Sequence, residues 1–432
     1  MRKVFIFYLV IFILDNNSFA ENLPEALLKA YKNNPILNAE RENISISKEN
    51  LNISKSEFLP TITITGTKSK EDTTKLTNQN GSDASINNVN PLTKSLLIEQ
   101  TLYDGKARNA DLEKSKIGID LAKIKTLKIE QEILYKAIEA YSGLIFANKK
   151  LMINQSNVNL LKRQVETDQA RLETGKITIS DLAQSESSLA GAKANFIEAK
   201  NNVVTSILIY ENIIGVIKNP NKLNNNFNLN YVIPKNLNQA IEISKEENPN
   251  LIIAKLEYQQ SKKDVQISKS QNLPSASLSF EASQIENLST TYDERDKKTI
   301  KATLKWPFYT GGKNKAKIDK NISIKNQKRL LLESAIKTSN TNVASAWSSF
   351  QSSKSLLDSV KAQVKAAEIA NEGITVEYES GLGRSTLDII QSNALLLNSK
   401  ISLANSERNY LLSQFKLLQS VGLLTLEYLK IS

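Results

Sequence analysis

The chain contains neither cysteine nor histidine. Without cysteine there are no disulfides, no thiolate metal sites and no lipid-modified cysteine at the start of a mature protein. Without either residue, Ser-His and Cys-His nucleophile pairs and His-ligated zinc are excluded, and most hydrolytic and metal chemistry goes with them. Paired carboxylates for glycoside cleavage would still need a pocketed fold, of which the sequence gives no sign. A non-enzyme with no cofactor and no metal is expected. Long apolar runs are also scarce. The main one, Val4 to Leu14, is shorter than the roughly 18–20 residues that a spanning helix needs. With Arg2 and Lys3 before it and Ser18-Phe19-Ala20 after it, the run reads as a secretory signal cut after Ala20. Any insertion of the rest into a bilayer must therefore use strands.

Proline is sparse and unevenly placed: none of the nine falls within 92–219 or 308–432. Because proline breaks a helix interior at about 3 kcal/mol, both stretches are free to be unbroken helix. The formal charge of +11 would point to nucleic acid in a cytosolic chain, but export removes that partner. Lysines solvating long helices explain the charge, as does a field favouring anionic cargo or lipid.

What is present is present twice. Ile53-Ser54-Lys55-Ser56-x-x-Leu59-Pro60 recurs as Ile267-Ser268-Lys269-Ser270-x-x-Leu273-Pro274, and Asn34-Pro35 as Asn248-Pro249. Further on, Tyr103 and Gly105 match Tyr309 and Gly311, Gly175 matches Gly381, and Asp181-Leu182-x-Gln184-Ser185 matches Asp388-Ile389-x-Gln391-Ser392. A period of roughly 210 residues is far beyond a solenoid unit of about 20–50. Two copies of one large unit make up almost the whole protein.

Within the proline-free stretches, apolar residues recur every seven positions. Ala137, Leu144, Leu151, Val158, Val165 and Leu172 form one ladder; Ile336, Val343, Phe350, Leu357 and Val364 form its counterpart. Beyond each central glycine the period resumes, as Leu182, Leu189, Phe196, Val203, Tyr210 and as Ile389, Leu396, Leu403, Tyr410, Leu417. An ordinary helix face would drift by about 20° per heptad, so a strict period of seven signals left-handed coiled coils. Each copy thus reads as a helix of about 65 residues, on the order of 100 Å, a reversal at glycine, and a returning helix. Trp347 and its counterpart Tyr141 are expected to pack within these ladders.

Upstream the period is two. Ile62 and Ile64 alternate with threonines; Ala276, Leu278 and Phe280 alternate with serines; Ile300, Ala302, Leu304 and Trp306 alternate with Lys301, Thr303 and Lys305. Polar stretches 78–91 and 287–298 separate the paired runs. Amphipathic strands of about ten residues joined by a polar loop match a membrane barrel hairpin. They also match a soluble hairpin on a core. Tyr103, Trp306, Phe308 and Tyr309 fall at strand ends, where an aromatic girdle would lie. Four strands cannot close a membrane barrel, whose minimum is about eight, so in lipid the strands must be shared between chains.

These boundaries follow: a signal over 1–20; repeat 1 over 21–219, with helices in 23–58, strands 60–70 and 92–103, and a helical hairpin 107–216; repeat 2 over 220–432, with helices in 237–272, strands 274–284 and 299–309, and a hairpin 314–430. The order of elements, with Leu102-Tyr103-Asp104-Gly105 and Phe308-Tyr309-Thr310-Gly311-Gly312 after the strands, resembles the TolC-like outer membrane factor family over essentially all of the mature chain. The resemblance implies a mainly α fold with membrane β, in which a homotrimer forms a twelve-stranded barrel in outer-membrane lipid and a helical tunnel in the periplasm. It implies a passive export duct for small molecules or polypeptides, docking with a periplasmic adaptor and an inner-membrane pump or ABC transporter. The alternatives are a periplasmic adaptor, which would carry one hairpin flanked by soluble β domains, and a secreted coiled-coil structural protein, which has no use for duplicated strand pairs.

Carried over residue by residue, the resemblance places adaptor contacts at the hairpin tips, Arg171, Leu172 and Gly175 in the first and Tyr378, Gly381 and Leu382 in the second. It places a tunnel constriction at Arg384 and Asp388, with Gln391 where a second acid is typical. Asp388 also fits a first-turn helix residue, a position that favours acids in any case. The middle of the tunnel is expected to carry a slim belt made of 220–235 and the short helices beginning near Leu23 and Leu237.

Overall fold

The computed structural model describes residues 21–72, 89–288 and 293–431, apart from 226, 228, 230 and 382. The signal segment 1–20 and most of the polar stretch 78–91 lie outside the described residues. Each repeat runs through the same six elements. In the first they are α1 (Leu23–Asn33), α2 (Pro35–Ser56), β1 (Thr61–Lys68), β2 (Leu92–Tyr103), α3 (Ala107–Glu173) and α4 (Ile179–Ile213). In the second they are α5 (Leu237–Glu247), α6 (Pro249–Ser270), β3 (Ser275–Glu286), β4 (Glu294–Lys305), α7 (Lys313–Glu379) and α8 (Thr386–Val421).

The duplicated Asn-Pro pairs do what their chemistry dictates. Asn34 Oδ1 accepts from the N–H groups of Ile36 and Leu37 at 3.0 and 3.3 Å, and Asn248 Oδ1 from those of Asn250 and Leu251 at 2.9 and 3.3 Å. The proline that follows lacks an N–H, a donor which the first helical turn leaves orphaned anyway.

The chain divides into two compact units. The first comprises residues 21–38, 129–244 and 341–431. Its core is centred on Tyr141, Leu144, Tyr210 and Phe415, all fully buried, with the apolar face of α1 packed against them. Tyr141 donates its hydroxyl to the Glu21 and Asn224 carbonyls at 2.8 and 3.0 Å. Trp347 packs beside a second cluster built on Ala240, Val343 and Leu417. α1, α5 and the residues Phe227, Leu229 and Tyr231 pack on these clusters, with Tyr231 against Phe415 at 5.1 Å between ring centroids.

The second hairpin does not run to 430. Gly422, at φ 93°, caps α8 in the left-handed region, and the residues beyond it fold back so that Leu424, Leu426 and Leu429 are buried in the core. Likewise α4 stops at Ile213 rather than 216, ahead of Gly215 at φ 111°.

The second unit, 39–128 and 245–340, holds α2, α6, the strands and the adjoining turns of α3 and α7. Its helix contacts are largely polar. Ser54 Oγ donates to Asp111 at 2.6 Å, and Lys114 pairs with Asp264 and Lys328 with Glu257, both at 2.7 Å.

The four strands form one antiparallel sheet in the order β1-β2-β3-β4, so that β2 of the first repeat pairs with β3 of the second. β4 begins at Glu294 and ends at Lys305 instead of spanning 299–309, so residues 294–298 of the expected polar stretch belong to the strand. Ladder hydrogen bonds use only the backbone, so the charged run from Glu294 to Lys298 pairs with Ala282 to Glu286 despite its polarity. Pro307 then ends the ladder for want of an N–H. Consequently Trp306, Phe308 and Tyr309 lie just past the strand; Tyr103 is the last residue of β2. The other ends shift less: β1 spans 61–68 and not 60–70, β3 runs on to Glu286, and α2 and α6 stop at Ser56 and Ser270.

The register sorts the side chains. Ile62, Leu96, Ile98, Leu278, Phe280 and Ile300 share one face, which also carries Lys94, Glu286, Glu294, Asp296 and Lys298 toward the loop end of the sheet; Glu99, Glu281, the remaining β4 cations and most of the threonines and serines share the other, together with Leu97 and Ile285. On the apolar face Ile64, Ile300 and Leu304 are 75–82 % exposed within a single chain.

Candidate functional site: the hairpin tips

Both hairpins reverse through the same backbone device. α3 ends in a Schellman motif: Gly175, at φ 70°, donates to the Leu172 carbonyl and Lys176 to the Arg171 carbonyl, both at 2.9 Å. α7 ends with Gly381 at φ 74°, donating to the Tyr378 carbonyl at 3.2 Å. Only glycine takes this conformation without a Cβ penalty, which is why the two glycines mark the reversal. Leu382 lies outside the described residues.

The returning helices open on matched capping boxes, Thr178 with Asp181 and Ser385 with Asp388. The Asp388 carboxylate accepts from the Ser385 N–H and hydroxyl, each at 2.9 Å, and Asp181 does the same with Thr178 at 2.9 and 2.7 Å. Those backbone and hydroxyl donors hold both carboxyls below the ordinary aspartate value. The identical geometry in the first repeat shows that Asp388 caps its helix. Arg384 pairs instead with Glu377 at 2.5 Å, and that hydrogen bond stabilises its charged form. Gln391 is exposed on α8. Within a chain Arg384 and Asp388 thus attract each other without forming an ion pair.

A different residue gathers the tips together. Asp168, 0 % exposed, accepts from Ser185 Oγ at 2.5 Å, from Tyr378 Oη at 2.6 Å and from Gln164 Nε2 at 3.0 Å to each oxygen. Tyr378 Oη also lies 3.2 Å from Thr386 Oγ1. Arg171 covers the Tyr378 ring, its guanidinium carbon 4.1 Å from the centroid, and donates to the Tyr378 carbonyl at 2.8 Å. Side chains from α3, α4, α7 and α8 thereby share one buried network. Burial, then the bond to Asp168, pushes the Tyr378 hydroxyl above its usual pKa, so it stays a donor.

Of the tip residues read from the sequence, the structure brings Arg171 and Tyr378 into direct contact and places Leu172, Gly175 and Gly381 in the turn motifs. Asp168 escaped because it has no acidic counterpart in the second repeat. The available signal was a second buried seven-residue ladder, Ala140, Ala147, Asn154, Leu161 and Asp168, at whose end an acid stands where an apolar residue is expected.

Among the described residues no helix is long and apolar enough to cross a membrane, and no cluster of acidic residues is arranged to hold a metal. The family model described as outer membrane efflux protein matches residues 26–215 and 240–423, one stretch in each repeat. Over 95 % of its length the chain is 25 % identical to the outer membrane efflux protein BepC of Brucella suis, covering 88 % of that protein. It is 24 % identical to the outer membrane protein TolC of Escherichia coli, with 94 % of the chain and 83 % of TolC aligned. The fold superposes on the CmeC outer membrane channel of Campylobacter jejuni with a TM-score of 0.82 at 16 % identity, covering 93 % and 86 % of the two chains. With both of its repeats matched, the chain belongs to the outer membrane efflux protein family.

Proposed function

We propose that three copies of this chain assemble into a passive export duct. Their sheets close a twelve-stranded barrel in the outer membrane, and their helical hairpins continue it as a tunnel through the periplasm. The observation that carries this is the sheet: four strands with an apolar outer face and two unpaired edges, β1 and β4. An open edge is not tolerated in lipid, and four strands cannot close on themselves, whereas twelve can. The hairpins support the same assembly. Ile197, Val204 and Leu208 on α4, Leu356 and Ile369 on α7 and Leu395 on α8 are all more than half exposed in one chain and would be covered by neighbouring copies.

In this reading Trp306, Phe308 and Tyr309 lie at the periplasmic membrane interface with Tyr103. The glycine turns at 175 and 381 receive a periplasmic adaptor coupled to an inner-membrane pump. The Asp168–Tyr378 bond holds the two hairpins of a protomer together at the tip, so opening requires its rupture. Arg384 and Asp388 would face the constriction from the second hairpin. The duct contributes a path and a gate, and no chemistry.

The test exploits the absence of cysteine. Single cysteines at Thr63 and Thr303, on the two edge strands, are introduced together and oxidised in outer membranes. Edge pairing between protomers yields covalent ladders ending at three chains, and purified protein conducts ions in planar bilayers. A soluble monomer whose β1 and β4 join each other would refute the proposal.

A further inference from the structure

The polar face of the sheet carries more cations than acids. Arg295, Lys297, Lys301 and Lys305 alternate along β4 on that face, against Glu99 on β2 and Glu281 on β3. Across the sheet, Lys301 lies opposite Ser279, which lies opposite Glu99, so these two opposite charges share one level about 10 Å apart. Glu281 lies opposite Thr299. Lys297 faces Ser283, Arg295 faces Ile285 and Lys305 faces Ser275, and no acidic residue of the described sheet stands on those three levels. Among the described residues none of the four cations enters an ion pair, unlike Lys94 on the apolar face, which pairs with Glu286 at 2.6 Å. The outer edge of β1 presents threonines on this face, so the strand that would complete β4 in a ring brings hydroxyls and no acid.

We propose that the barrel lumen is an anion-favouring filter, with Lys297 and Lys305 as its charge-determining residues. The proposal rests on the duct reading above. Twelve strands tilted by about 40° and spaced about 4.8 Å enclose a backbone cylinder roughly 24 Å across. Lysine side chains reach about 6 Å inward, so the axis lies within the Debye length of about 8 Å at physiological salt. Each unpaired lysine becomes a ring of three in the assembly. Such rings attract small anions and repel cations before either reaches the tips. Anionic solutes are therefore the class that this lumen passes most readily.

The test is the reversal potential of the full-length protein in planar bilayers under a potassium chloride gradient. Wild type is compared with Lys297→Gln/Lys305→Gln and with the charge-keeping Lys297→Arg/Lys305→Arg. Wild type is expected to pass chloride over potassium. The glutamine pair lowers that ratio by about twofold or more, and the arginine pair leaves it unchanged. A cation-preferring wild type, or a glutamine pair with unchanged preference, overturns this inference while leaving the duct standing. A folded oligomer that conducts nothing overturns the duct itself, and the inference with it.

Discussion

Removing one oxygen from Tyr378 should loosen the tip without dismantling it. In Tyr378→Phe the ring still lies 4.1 Å under Arg171, and the backbone carbonyl still accepts the guanidinium at 2.8 Å. What disappears is the 2.6 Å hydrogen bond to Asp168, with the weaker 3.2 Å contact to Thr386 Oγ1. Bonds to charged groups contribute about 1.5–3 kcal/mol. Asp168 keeps Ser185 and Gln164, so its carboxylate is not stranded, and the lower end, about 1.5 kcal/mol, applies. At tenfold per 1.4 kcal/mol, the ratio of open to closed tips rises about tenfold per protomer. If three protomers open together and independent sites add, the whole duct shifts by about a thousandfold. Single-channel recording of purified protein checks this as open probability and conductance, with cross-linking to confirm intact assembly. An unchanged record from a fully assembled Tyr378→Phe protein would show that the buried network does not restrain the gate.

Three further outcomes follow from the geometry. Because the donors of the capping boxes lower the folded-state pKa of Asp181 and Asp388, their stabilisation is complete above the ordinary value of 3.8 and is lost as pH falls through the lower folded value. Hydrogen-exchange protection at 178–182 and 385–389 should therefore be level from pH 7 to about 5 and fall below about 4, and Asp388→Asn should remove the fall from the second turn alone. Gly105 sits at φ 69° where a Cβ would come within 2.8 Å of both Leu273 Cβ and the Ser270 carbonyl, whereas Gly311, at φ 61°, faces open space. Gly105→Ala should thus cost more than the roughly 1–2 kcal/mol of left-handed strain that Gly311→Ala incurs, read as a larger loss of heat-resistant oligomer on gels. Leu424 is fully buried, so Leu424→Ala should destabilise the first unit by about 2–5 kcal/mol, seen as a lower melting temperature by circular dichroism in detergent.

The elements legible in the sequence are those whose cause is local. Asn-Pro pairs start α2 and α6, glycines reverse the hairpins, and period-seven ladders give α3, α4, α7 and α8, because each signal acts within a turn or two of its own residue. β4 departs from its alternating run at both ends, because the backbone ladder carries its start through the charged residues Glu294 to Lys298 and Pro307 terminates it. The turn-back after Gly422 hides among apolar residues that continue the α8 pattern. Asp168 was missed because the partner that ties the two hairpins together is distant: beside the nearby Gln164 and Ser185 stands Tyr378 from the other repeat, and no local rule brings it there. For Asp388 the sequence already offered the capping reading beside the constriction, and the box it forms with Ser385 matches that of Asp181 with Thr178. Glu377, the partner of Arg384, stands seven residues upstream across the turn, beyond the reach of the helical spacing rules.

The pairing of β2 with β3 sets an order of events during biogenesis. Leu96 and Ile98 must wait for Ala282 and Phe280, nearly two hundred residues later in synthesis, before their ladder can form. Contacts so far apart in sequence form slowly, and an unmated hydrophobic strand invites adhesion to any other. Until the second half has emerged, the first half travels with a sticky edge that cannot be satisfied from within. The central seam of the sheet can close only once translation is well past its midpoint.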